Sequence, residues 1–126
     1  MYAFLLVGIG GALGAMSRYG LAGLIGRLWP LNFPVATLLI NIIGSAAMGL
    51  FVGIMARWLP SWQEDARLFV AVGVLGGFTT FSAFSLETIA LIERGEVVQA
   101  GLYVLLSVVL CLVGLYLGLL VTRGMA

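Results

Sequence analysis

The charged residues of this chain are so few, and so placed, that they leave four long stretches nearly free of them. Met1 to Gly26 contains only Arg18, Leu28 to Ala56 contains none, Leu68 to Ile92 contains only Glu87, and Val97 to Thr122 contains none. Crossing the hydrocarbon of a bilayer takes about 20 apolar residues in a helix, and a helix is the form in which one such segment satisfies its own backbone. The stretches therefore predict an all-α membrane protein, a single four-helix transmembrane domain over residues 1–126 with helices at about 2–26, 34–56, 68–92 and 99–122. A water-soluble globule is excluded. Only 9% of the 126 residues are charged, against roughly a quarter in soluble domains, and 63% are hydrophobic. The mean hydropathy is +1.21.

What remains between the spans is short. The first connector carries Trp29, Pro30, Asn32 and Pro34, the second Trp58, Pro60, Trp62, Glu64 and Asp65, and the third is Glu93-Arg94-Gly95-Glu96. The tryptophans fall at the headgroup level, where their amphipathic rings prefer to sit. The opening Met1-Tyr2-Ala3-Phe4 lacks the basic start of a secretory signal, so the first apolar run is expected to be retained.

Several function classes fall away on residue types alone. Histidine and lysine are absent and Cys111 is the lone cysteine, so histidine bases, lysine nucleophiles and Cys/His metal cages cannot be built. The chain is expected not to be an enzyme. A net charge of +1 gives no pull on nucleic acid. Glycine, at 18 residues, is about twice its usual share. It recurs with other small residues four apart, as Gly10 with Gly14, Gly11 with Ala15, Ser45 with Gly49, Gly49 with Gly53, and Gly114 with Gly118, a spacing that lets helices approach closely in lipid. A nucleotide loop does not fit, because Leu13 stands where a dinucleotide fingerprint needs its third glycine. Four helices bury too little surface to enclose a pathway, so self-association is expected.

Ionised groups within a span are functional candidates, and two qualify. Arg18 and Glu87 lie roughly 13 and 8 Å from the same membrane face at 1.5 Å per residue, close enough in depth for a salt bridge or a shared network. They either orient the bundle or meet permeating ions. The third span also contains Gly76-Gly77-Phe78-Thr79-Thr80-Phe81-Ser82-Ala83-Phe84-Ser85, a poor helix interior. Such interruptions persist in membranes where freed backbone groups coordinate an ion or line a wet cavity. At neighbouring depths fall Asn41, Tyr103, Ser107, Phe81 and Phe84, at roughly 10, 5, 10, 17 and 12 Å. Amide and hydroxyl hydrogens, the guanidinium and the positive edges of phenylalanine rings can all face an anion.

Three motifs carry a resemblance. They are Gly10-Gly11-Ala12-Leu13-Gly14-Ala15-Met16-Ser17-Arg18-Tyr19, Ala36-Thr37-Leu38-Leu39-Ile40-Asn41-Ile42-Ile43-Gly44-Ser45, and Gly73 through Glu87 around the glycine-threonine core. On these the sequence resembles the CrcB/Fluc family of small fluoride channels over essentially its whole length. The resemblance implies a broken third helix, a dual-topology antiparallel homodimer with two fluoride pores, and a passive channel exporting fluoride across the cell inner membrane. It also implies a structural sodium ion on the two-fold axis, held by the backbone carbonyls of Gly76 and Thr79 from each subunit. Phe81 and Phe84 match the family's pore phenylalanines, Asn41 its pore asparagine, and Tyr103 and Ser107 a track of hydroxyls. Cys111 stands one turn on, where a further hydroxyl is expected, and Ala36 stands where glycine is expected. The alternative is a proton-coupled exporter of the small multidrug-resistance type, which needs a carboxylate in its first helix where this chain has Arg18. Independently, the second connector and carboxyl end carry Arg57, Arg67 and Arg123 against Arg27 and Arg94 on the other side, a bias small enough to leave both orientations populated.

Overall fold

A computed structural model of the protein describes residues 2–30, 33–58 and 60–124. Met1 and Asn32, which the sequence assigns to the first span and the first connector, lie outside the described residues. The described elements are all helical: α1 (Tyr2–Leu28), α2 (Val35–Trp58), α3 (Gln63–Ala66), a π-helical segment (Arg67–Leu75), α4 (Gly76–Phe78), α5 (Phe81–Glu93) and α6 (Val97–Gly124). By length and composition four spans are able to cross a membrane, Tyr2–Leu28, Val35–Trp58, Gln63–Glu93 and Val97–Gly124. The third begins five residues before Leu68, where the charges mark the end of the apolar run. Arg67 and Glu64 form a bidentate pair one turn apart, at 2.6 and 3.2 Å, so the helix continues into the interface with its charges exposed.

Two glycine seams set the packing. Along the first, α1 lies against the π-helical segment and α4. A Cβ on Gly10 would collide with the Phe69 carbonyl oxygen, one on Gly14 with that of Val74, and one on Gly77 would come within 2.6 Å of the Gly11 oxygen. Along the second, α2 lies against α6, with Gly49 against the Leu115 carbonyl, Gly53 against the Thr122 side chain, and Gly118 2.6 Å from the Ala46 oxygen in the same sense. Backbones at this distance gain dispersion contacts that a side chain would prevent.

At the turn into α6, Gly95 takes φ +83°, a left-handed conformation that costs glycine little. Arg94, Gly95 and Glu96 donate their amides back to the carbonyls of Ala90, Ile92 and Leu91 at 2.9–3.1 Å, closing α5. This turn folds α5 onto α6, and the core forms there from Leu38, Leu91, Ala100 and Tyr103, with Phe33, Ile42, Phe84 and Leu106 packed against it. Most other apolar side chains face outward. Phe4 is 80% exposed and Val98 78%, as expected of a surface whose solvent is hydrocarbon or another copy. Trp29, Trp58 and Trp62 are each exposed near the span ends.

Candidate functional site

The helical path of the third span changes at Thr79 and Thr80. Both residues are extended, at φ −84°, ψ 158° and φ −151°, ψ 118°, before α5 resumes at Phe81. Glycine upstream and hydroxyls downstream explain the local choice. Thr80 Oγ1 accepts from the Ala83 amide at 3.1 Å and so caps α5, while Thr79 Oγ1 donates to the Leu75 carbonyl at 3.0 Å.

Asn41 on α2 secures the extended pair. Its Oδ1 accepts from the Thr80 amide at 2.9 Å, and its Nδ2 donates to the Thr80 carbonyl at 3.1 Å. One side-chain amide thus takes the Thr80 N–H out of the helical ladder and gives a second donor to a carbonyl that, at the N-cap of α5, already accepts the first bond of that helix. One turn along the same face, Gly44 seats the Thr79 methyl group, leaving no room for a Cβ. With the Thr80 amide held by Asn41, the Gly76 carbonyl loses its usual donor four residues on.

Beside this point a cleft of 330 Å³ opens between α2, α5 and α6, lined by Asn41, Ser45, Thr80, Phe81, Phe84, Ser107, Val108, Cys111 and Leu112. It brings together four residues singled out from sequence: Asn41, Phe81, Phe84 and Ser107. The two phenylalanine rings lie 5.4 Å apart, tilted by 46°. Ser107 is buried and its Oγ has no protein partner, a state that costs about 1–3 kcal/mol unless the group is met by something else. Asn41 Nδ2 keeps a second hydrogen beyond the one given to Thr80. The lining carries no ionised group, so it offers neutral donors on an apolar wall.

Tyr103 stands behind this lining. Its ring is fully buried, 5.0 Å from the Phe84 ring and edge-on to Phe33 at 5.5 Å, and its hydroxyl donates to Glu87 Oε1 at 2.9 Å. Arg18 and Glu87 do not pair with each other in this chain. Arg18 Nε donates to the Gly77 carbonyl at 3.2 Å, tying α1 to α4 ten residues before Glu87 along the third span, while Glu87 faces α6 through Tyr103. Gly76, Thr79 and Arg18 lie outside the cleft lining. Two lining residues were not singled out as donors: Ser45, four residues after Asn41 on the same helical face, and Thr80. The i, i+4 spacing from Asn41 was the signal for Ser45.

Residues 5–119 match the family model described as CrcB-like protein, Camphor Resistance (CrcB). Curated relatives named fluoride-specific ion channel FluC include one from Hyphomonas neptunium, 49% identical over 98% of this chain and 97% of its own length. Those from Roseobacter denitrificans and Beijerinckia indica are 54% and 53% identical, over 98% and 97% of both chains.

Proposed function

This chain belongs to the CrcB family, and from that premise we propose that it is a passive fluoride-selective channel of the inner membrane that lets fluoride leave the cytoplasm. The carrying observation is the cleft itself, where the Asn41 amide and the Ser107 hydroxyl meet two phenylalanine rings at the interruption of the third span. Fluoride is small and tightly hydrated. A path for it must replace several strong water hydrogen bonds with close donors, while a fixed positive charge would hold it too long. Neutral donors and positive ring edges suit that need, and a narrow passage excludes chloride. Export follows from chemistry: fluoride enters cells as its neutral acid and is trapped inside as the anion.

The interruption supports reading the third span as broken within the bilayer. The Gly76 carbonyl without its ladder donor, and the carbonyl of extended Thr79, form a hard oxygen set of the kind that suits sodium. Two such oxygens per chain are too few for a coordination shell. Two copies supply four, which favours a homodimer with the ion on its axis, and the near-equal arginine counts on the two sides favour its antiparallel dual-topology form. When bound, sodium supplies charge that holds the two interruptions together. Around it Asn41 and Gly44 orient the extended residues, and Arg18 holds the Gly77 carbonyl. Phe81, Phe84, Asn41 and Ser107 line the anion's route, and Tyr103 continues it only if its hydroxyl turns from Glu87. The small multidrug-resistance alternative is not favoured, since α1 carries no carboxylate. Purified protein in liposomes, with efflux followed by fluoride and chloride electrodes, tests the reading. Fluoride release without chloride release is expected, and equal release of both would sink it.

A further inference from the structure

We propose that a second cleft, between the carboxyl ends of α2 and α6, binds the phosphate headgroup of an anionic phospholipid. The cleft measures 510 Å³. Its polar lining is Arg57, Arg123 and Thr122, and its apolar lining includes Val52 and Leu119. Thr122 is buried against Gly53, and both arginines are exposed. Two like charges facing one cavity repel each other, and among the described residues no carboxylate lines it. The ion pairs among the described residues, Arg67 with Glu64 and Arg94 with Glu96, lie elsewhere.

Local structure accounts for part of this arrangement. Arg57 Nη1 donates to the Thr122 carbonyl at 3.3 Å, and cations are favoured at helix carboxyl ends. That bond uses one of the five guanidinium donors and fixes the fork beside the opening. Arg123 stands in the last turn of α6, where the same preference applies, but neither helix end accounts for the space held between the two guanidinium groups. Guanidinium forks match phosphate oxygens in geometry and charge, and basic pockets between transmembrane helices suit lipid headgroups.

Depth selects the lipid over a free anion. Arg57 lies one residue before the end of α2, beside Trp58, whose ring is 63% exposed at the headgroup level. Val52 lies five residues earlier, roughly 8 Å deeper, where a glycerol and the first acyl carbons would sit. Inorganic phosphate would gain nothing from those apolar walls. The inference does not depend on which anion the protein conducts.

Native mass spectrometry of the full chain tests it, with phosphatidylglycerol, phosphatidylcholine or inorganic phosphate added to the micelles. Phosphatidylglycerol should bind at low occupancy and saturate. Removing each arginine should weaken that binding about fivefold, so that Arg57→Gln with Arg123→Gln loses roughly 25-fold. Arg67→Gln, which removes the same charge from the same side, should leave binding unchanged. If Arg57→Gln does not fold, Arg123→Gln alone carries the test with its fivefold loss. Equal binding of phosphatidylcholine, an equal loss in Arg67→Gln, or displacement of the lipid by inorganic phosphate would each overturn the assignment.

Discussion

The α2–α6 pair is closed where glycine faces backbone and open on the neighbouring face, where small polar residues line a cleft. Toward the carboxyl ends Gly49 and Gly118 bring the backbones into contact. On the neighbouring face of the same helices stand Asn41 and Ser45 on α2 and Ser107 and Cys111 on α6, and these line the cleft beside α5. The α1 seam shows the closed case in full, with Gly10 and Gly14 on one side and Gly73 and Gly77 on the other. Glycine closes a seam. Small polar residues at the same spacing on the next face line a cleft with donors.

The largest expected effect comes from forcing the closed seam open. Gly14→Leu drives a side chain into the Val74 carbonyl, and overpacking of this kind costs about 3 kcal/mol. Loss of monodisperse protein on size exclusion is the expected result, and a normal thermal melt would contradict the seam. Next is Asn41→Asp, which deprives the Thr80 carbonyl of its side-chain donor and sets a negative charge on the cleft wall. An anion about 5 Å away would be repelled by ~3 kcal/mol at an effective dielectric of ~20, so fluoride flux in liposomes should fall roughly a hundredfold. Phe81→Ile and Phe84→Ile keep bulk and remove the ring edge. Each should lower flux by about tenfold, corresponding to ~1.4 kcal/mol, with chromatographic behaviour unchanged. Ser107→Ala removes one hydrogen bond, worth about 1 kcal/mol, so about a fivefold loss is expected in the same assay. Wild-type flux in all four cleft variants would separate the cleft from conduction.

Much of this was legible in the sequence because the signals are local. Charge-free runs gave the four spans, and four-residue spacing of glycine gave the seams. The glycine-threonine stretch marked where the backbone turns extended. Side-chain partners were not legible, since rise per residue gives a residue's depth and says nothing of its rotation about the helix axis. Rise per residue puts Arg18 and Glu87 within about 5 Å of each other in depth, yet one bonds to the Gly77 carbonyl, ten residues before Glu87, and the other to Tyr103. The sequence places Asn41 among the ion donors; its two hydrogen bonds with Thr80 join residues 39 apart and leave no trace in either motif. The π-helical winding of Arg67–Leu75 likewise has no composition signal of its own.

The native thiol gives the most direct test of whether this cleft is the anion's path. Cys111 lines it on the same face of α6 as Ser107 and is the chain's only cysteine. Protein in liposomes would be treated with methyl methanethiosulfonate, modification followed by mass spectrometry, and fluoride efflux measured alongside Cys111→Ser. Flux that falls in step with modification, and stays constant in Cys111→Ser, is the expected result. Full fluoride flux from fully modified protein would contradict it.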